Sequence, residues 1–326
     1  MASVGVQCSH SLLACPFCCL ISCAVPETGP IGVVMFLKYL DKQREEEGGA
    51  FHKLMHGLAG TFFHSGENEP VINLAETRGV DIRIEKLNKY YGSNHVLKDL
   101  DLEILAGETF SIIGPSGTGK SVLLKHIIKL ETPDSGEIYI DGVPIFGRKG
   151  KTIGRDYRFS MVFQSSALFN SLTVGENVGL WLREKRVCKE QRIKEIIREK
   201  LAMVGLEGKE GLNTSELSGG MKKRVAIARS LAMNPDLILY DEPTAEFDPV
   251  NTDELANTIL RLKEATKNTT IIVSHDLNFS LYISDRIAMI HEGRIVEVGS
   301  PAEIKASQNP IVRSFIHTTT KGIKLD

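Results

Sequence analysis

The sequence predicts an α/β protein built around a largely parallel sheet, and three observations lead there. Short, continuous apolar runs at Thr109–Ile113, Leu237–Tyr240 (LILY) and Thr270–Val273 (TIIV) have the pattern of strands buried on both faces. The first runs straight into the glycine-rich stretch Gly114–Ser121, and a helix over Ser121–Leu130 follows. Each of the others ends in polar residues, and parallel strands deliver such residues to one edge of a sheet.

Length and composition bound the rest. The 326 residues suffice for one large or two modest domains. A formal net charge of −2 lacks the basic footprint of a nucleic-acid binder, so no nucleic-acid partner is expected. No apolar run reaches the roughly 18 residues that span a bilayer; any membrane role would go through a partner. Cys8, Cys15, Cys18, Cys19 and Cys23 crowd the start, leaving Cys188 alone in the remainder. A body with a single cysteine cannot rest on disulfides, which fits a reducing cytosol.

Residues 1–79 read as an N-terminal extension, partly helical or disordered. Residues 1–37 carry one acid, Glu27, and no Lys or Arg, which fits neither a secretory signal nor a transit peptide. Cys15-x-x-Cys18 lacks the second ligand pair of a zinc site. The extension could be translated from a start upstream of the natural one, with Met35 and Met55 as alternatives. Phe51, Leu54, Met55, Leu58 and Phe62 share one helical face, against which Gly57 and Gly60 argue. Such a stripe could pack on the protein's own body or lie on a membrane or partner.

From residue 81 the texture changes. Asp81–Leu87 (DIRIEKL) and Leu100–Ile104 (LDLEI) alternate like half-buried antiparallel strands, and Gly136–Asp141 reads as another strand before a turn at Gly142. The charged stretch 183–200 reads as a solvated helix that buries Ile193, Ile196, Ile197 and Leu201.

Gly114-Pro115-Ser116-Gly117-Thr118-Gly119-Lys120-Ser121 matches G-x-x-x-x-G-K-[ST]. Its glycines let successive N–H groups turn toward nucleotide phosphates, and the following helix adds its positive end. Lys120 would reach the outer phosphates and Ser121 would ligate Mg2+. Leu237–Tyr240 runs into Asp241 and Glu242, which places Asp241 beside the metal and makes Glu242 the general base for an attacking water. An acidic turn after a core strand is the plain alternative; the upstream phosphate loop needs such a carboxylate. Gln164 follows Met161–Phe163 and His275 follows Ile271–Ser274. Both could face the γ-phosphate at the same sheet edge, Gln164 through water or metal and His275 directly. In Leu217-Ser218-Gly219-Gly220, a hydroxyl and two glycines open a second helix with an anion-binding end. Alone it would be a simple cap. Since the first loop already serves the γ-phosphate, the second helix end points to ATP held by another copy.

Together, GPSGTGKS, the FQSS glutamine loop, LSGGMKKR, LILYDEP and VSHD resemble an ABC ATPase domain, in the family's order over about residues 80–326. The resemblance implies a P-loop NTPase fold of ABC type: a RecA-like core, an antiparallel β subdomain and an inserted helical subdomain at about 170–231. It implies ATP and Mg2+, and a head-to-tail homodimer in which Ser218, Gly219 and Gly220 of one subunit close over ATP gripped by Lys120 of the other. It also implies an adenine-stacking aromatic, for which Tyr91 fits and Tyr90 is second, and a groove at 165–177 for a permease's coupling helix. The family usually has a small residue and Leu before the Asp of its dimer-contacting loop. Here Glu246-Phe247 precede Asp248, so dimerisation is expected while the communication between sites is in question.

VFQSSALFNSLTVGENV (162–178), ELSGGMKKRVAIARSL (216–231) and the tail from Asn309 to Phe315 resemble, more narrowly, ATPases of MCE-type phospholipid transporters. That implies lipid cargo, a permease with an MCE-domain protein, and a peripheral place on the cytoplasmic side of the inner membrane. A polar amino-acid importer ATPase would share every catalytic motif. A soluble ABC ATPase of the iron–sulfur assembly type is the non-transport alternative.

Overall fold

The structure, a computed structural model, describes residues 77–146, 157–245 and 247–320. The cysteine cluster and the Phe51–Phe62 stripe lie outside the described residues.

Two sheets organise the body. The first is antiparallel, in the order β2 (Asn94–Ile104), β1 (Ile82–Tyr91), β4 (Ser135–Ile140), β5 (Val143–Pro144). Its alternation buries Ile82, Ile84, Leu87, Leu100, Leu102 and Ile104 and leaves the intervening charges outward. The second has the order β10 (Arg294–Gly299), β9 (Arg286–His291), β3 (Thr109–Ile113), β8 (Thr269–Ser274), β7 (Leu237–Asp241), β6 (Phe159–Val162). From β9 to β6 every pairing is parallel; only β10 runs antiparallel. Strands β3 and β8 are buried at every position, as expected for a sheet covered on both faces.

The helices are α1 (Lys120–Ile127), α2 (Val174–Glu184), α3 (Glu190–Met203), α4 (Gly219–Leu231), α5 (Pro249–Thr266), α6 (Leu277–Ile283), α7 (Pro301–Lys305) and α8 (Pro310–Thr320). Helix α1 stops short of Leu130 because Lys129 turns left-handed, with φ +59°. The charged stretch expected as one helix is two. Arg186 takes φ +49°, the chain reverses, and Val187 tucks into the core before α3 begins. Ile193, Ile196, Ile197 and Leu201 are buried as their spacing requires.

One cluster joins β6, β7 and β8 to α2–α6, with Val178, Leu182, Leu231, Tyr240 and Ile259 among its members. A second packs α7 and α8 through Ile304 and Val312 against Ile113, Ile287 and Met289. The register pairs Ile113 with Ser274, Val273 with Asp241 and Tyr240 with Val162. The carboxyl ends of β3, β8, β7 and β6 are therefore level, and the loops carrying the candidate residues leave from one edge.

Candidate active site

The loop between β3 and α1 holds its shape through glycines that tolerate no side chain. Gly114 has φ +151°, and a Cβ there would lie 2.2 Å from the Ile290 carbonyl oxygen. Gly119, at φ +100°, presses against β2, where a Cβ would lie 2.8 Å from Leu97 Cδ2. Pro115, Ser116 and Gly117 form an exposed crest, and Thr118 Oγ1 donates to the Pro115 carbonyl at 2.9 Å.

Lys120 is the first residue of α1 and is buried. Its Nζ donates to the carbonyls of Gly114 (2.9 Å) and Pro115 (3.0 Å) and lies 3.7 Å from Glu242 Oε1. Burial lowers the pKa of this ammonium, against the opposing pull of Glu242 and Asp241. Ser121 Oγ donates to Asp241 Oδ1 at 2.9 Å, across 120 residues of sequence.

Asp241 ends β7, and burial raises its pKa; the Ser121 hydroxyl works the other way and the Glu242 carboxylate adds to the rise. A desolvated carboxylate beside a hydroxyl is the hard oxygen set that suits Mg2+, which takes one or two carboxylates and completes its shell with phosphate and water. Residues Ser121 and Asp241 therefore fit that ion.

Glu242 sits just past the strand at φ +47°, an uncommon backbone for a non-glycine residue, held by its N–H to the Val273 carbonyl at 2.9 Å. This kink turns the side chain toward Lys120 on one side and His275 on the other. The His275 Nδ1 to Glu242 Oε2 distance is 2.7 Å, and the His275 backbone N–H reaches the same oxygen at 3.2 Å. The structure thus brings Lys120, Ser121, Asp241, Glu242 and His275 into one cluster.

The other predicted residues lie on or beside separate elements. Gln164 is exposed, two residues beyond β6, with its carbonyl engaged by Lys223. Tyr91 closes β1, is 46% exposed and donates its hydroxyl to Glu131. Burial first, and then that carboxylate, push the phenol up to about 12. Tyr90 stacks on His95, with centroids 3.9 Å apart, and the Lys89 ammonium lies 5.5 Å from the centre of the Tyr91 ring. Ser218 caps α4, its Oγ accepting from Met221 N at 3.3 Å, and both Ser218 and Gly219 are exposed. Gly220 packs so closely on α5 that a Cβ would meet Asn251 Oδ1 at 2.8 Å. Asp248 caps α5, accepting from Asn251 N at 2.8 Å.

Sequence reasoning missed the residues that shape the Gln164 loop. Asn177 on α2 donates to the carbonyls of Phe169, Leu172 and Thr173 and accepts from Phe169 N, fully buried. Lys223 on α4 holds the carbonyls of Phe163 and Gln164, and Arg229 those of Ser166 and Ala167. A signal existed for Lys223: Ala226, Ile227 and Ser230, three, four and seven positions on, form a buried face, so a Lys in phase with them needs internal partners.

Comparison with known proteins agrees with this arrangement. Residues 97–245 match the family model of the ABC transporter. The chain is 39% identical over 240 residues to the probable ribonucleotide transport ATP-binding protein mkl of Mycobacterium tuberculosis, covering 73% of this chain and 67% of the relative. It is 40% identical over 260 residues to protein trigalactosyldiacylglycerol 3, chloroplastic, of Arabidopsis thaliana, covering 74% and 75%. To the glutamine transport ATP-binding protein GlnQ of Geobacillus stearothermophilus it is 40% identical over 222 residues, covering 68% and 91%. Among solved structures it resembles the dimeric post-hydrolysis state of the ATP-binding cassette MJ0796 bound to ADP and phosphate, with TM-score 0.59, 32% identity and coverage of 68% and 98%. It also resembles cbiO1 of Clostridium perfringens, part of the transporter complex cbiONQ, with TM-score 0.64, 31% identity and coverage of 74% and 96%. With the Gly114–Ser121 loop, Asp241, Glu242 and His275 at one sheet edge and these relatives over most of its length, the chain belongs to the ABC transporter family, as an ATP-binding subunit that hydrolyses ATP.

Proposed function

We propose that this ATPase energises phospholipid or related lipid transport through a membrane permease, working as a head-to-tail homodimer with an MCE-domain protein in the same assembly. The observation that carries the cargo is the permease-facing stretch 162–178, which resembles the lipid-transporter ATPases rather than importers at large. The plant relative, whose name is that of a galactolipid, supports it. The mycobacterial relative's name points to ribonucleotides instead; loop identity is the ground for the lipid reading, because that loop is where a permease would be recognised.

The dimer reading is supported by the start of the 13-residue α4, where Ser218 and Gly219 are exposed and a helix N-terminus suits an anion brought from outside the subunit. No helix among the described residues is long and apolar enough to cross a membrane, so the permease would anchor the ATPase at the cytoplasmic face of the inner membrane. Residues 1–79 form an extension outside the 80–326 ATPase module in this reading.

In turnover, the 114–121 amides and Lys120 hold the β- and γ-phosphates, and Tyr91 stacks on adenine. Ser121 and Asp241, with Gln164 as a further ligand, would hold Mg2+, which would supply charge to offset the phosphates. Glu242 takes the proton of the attacking water, and His275 and the partner's α4 end steady the γ-phosphate. ATP closes the dimer and hydrolysis reopens it, passing the motion to the permease.

Affinity purification of the full chain from native membranes, followed by phospholipid transfer between labelled vesicles in the recovered complex, tests this. ATP-dependent transfer that is lost in Glu242→Gln is expected. Recovery with a permease that moves glutamine and not lipid would establish the second reading, which the similarity to GlnQ favours.

A further inference from the structure

We propose that Lys223 is a positioning residue that ties the Gln164 loop to the dimer-facing segment Phe247–Asp248 within one subunit. The proposal rests on the composite-site reading above and adds the internal link between its parts.

The side chain of Lys223 is 2% exposed, in the middle of α4. Burying an ammonium is costly unless its protons find acceptors. Its Nζ donates to the Phe163 carbonyl at 3.1 Å and to the Gln164 carbonyl at 2.6 Å. The same nitrogen lies 6.0 Å from the centre of the Phe247 ring, within reach of the ring's negative face. One cation therefore contacts the residue proposed to face the γ-phosphate and the residue before Asp248.

Two further contacts make this a closed circuit. Arg229, six residues along α4, donates to the Ser166 carbonyl (3.1 Å) and the Ala167 carbonyl (2.7 Å). Ser166 and Ala167 hold consecutive left-handed conformations, φ +59° and +47°, and such strain persists only where surrounding contacts impose it. At the other end, Asp248 caps α5 and binds Asn251, whose side-chain oxygen lies against Gly220 at the start of α4. A shift of the Gln164 loop drags the Lys223 ammonium, and through Phe247 it reaches Asp248. Phe247, which departs from the usual Leu, is the residue that offers the cation a ring.

The test is a double-mutant cycle on the full-length chain, reading ATP affinity and kcat separately. Lys223→Met should leave ATP affinity within about twofold and lower kcat about 10- to 100-fold, the loss of one charged hydrogen-bonding pair. Lys223→Arg should retain most of kcat. Phe247→Leu should lower kcat about threefold, and the double variant should fall no further than Lys223→Met, because both lie on one path. Thermal unfolding controls for folding, and Lys223→Gln replaces Met in the cycle if that variant does not fold.

Additive effects of Lys223→Met and Phe247→Leu, kcat unchanged in Lys223→Met, or Lys223→Arg falling as far as Lys223→Met would each overturn the proposal. If the parent chain turns ATP over without ATP-driven dimerisation, the composite-site reading fails while the cycle still decides the Lys223 link.

Discussion

His275 Nδ1 lies 2.7 Å from Glu242 Oε2, and the opposite oxygen of the same carboxylate lies 3.7 Å from Lys120 Nζ. The His275 backbone N–H also reaches Oε2, at 3.2 Å, so two nitrogens of one residue converge on this oxygen. Glu242 thus stands between the cation of the phosphate loop and the histidine at the end of β8. The proposed base and the groups proposed to hold the γ-phosphate are one electrostatic unit.

Glu242→Gln is expected to keep ATP binding, since the amide oxygen can still accept from His275 and the phosphate loop is untouched. Turnover should fall by roughly 10²–10⁴, the usual worth of a general base. Equilibrium nucleotide binding alongside phosphate release separates the two effects. Normal turnover would remove Glu242 from the role of base.

His275→Ala removes a donor to Glu242 and the proposed contact to the γ-phosphate. A loss of roughly 10² in kcat with ATP affinity little changed is expected, the magnitude of one preorganised donor at a developing charge. A change confined to KM would place His275 in ground-state binding instead.

Asp241 should make the Mg2+ requirement depend on pH. Burial holds its carboxyl above the ordinary 3.8, against the Ser121 hydroxyl and the Lys120 and Lys125 charges. The protonated form cannot ligate the ion, so a proton competes from a higher pH than at an ordinary carboxylate. The Mg2+ concentration for half-maximal ATPase should rise as pH falls through that raised value. Ser121→Ala, which removes a proposed ligand together with the lowering hydrogen bond, should raise the Mg2+ requirement at every pH and shift the onset to still higher pH. A flat Mg2+ requirement down to the ordinary carboxylate range would contradict this.

Asp236 precedes β7 and is 1% exposed, accepting from Arg158 N at 3.0 Å and Arg158 Nη2 at 3.3 Å. Asp236→Ala leaves the Arg158 charge with its carboxylate removed, at a cost of about 3–5 kcal/mol. Urea unfolding should show a lower midpoint with an unchanged slope. A loss under about 1 kcal/mol would mean that the ion pair is well replaced by water.

Much of the site was legible because its motifs are local. The stretch Gly114–Ser121 must curl, as Gly114 and Gly119 show by the contacts a Cβ would make. Asp241 and Glu242 follow directly from an apolar strand. Helix boundaries were less legible: the breaks at Lys129 and Arg186 are left-handed turns at residues whose type does not favour them, so tertiary packing decides where they fall.

The sequence by itself determined the nucleotide chemistry, the parallel core and the helix start at Ser218, since each is written in contiguous residues with a fixed backbone geometry. Only the tertiary structure decided that Lys223 and Arg229 turn inward to hold the Gln164 loop, that Asn251 closes on Gly220, and that Tyr91 is tied to Glu131. Those pairs lie tens of residues apart. Their formation depends on how the helices pack over the sheet and on the need of each buried charge for an acceptor, and neither is encoded in any short stretch of chain.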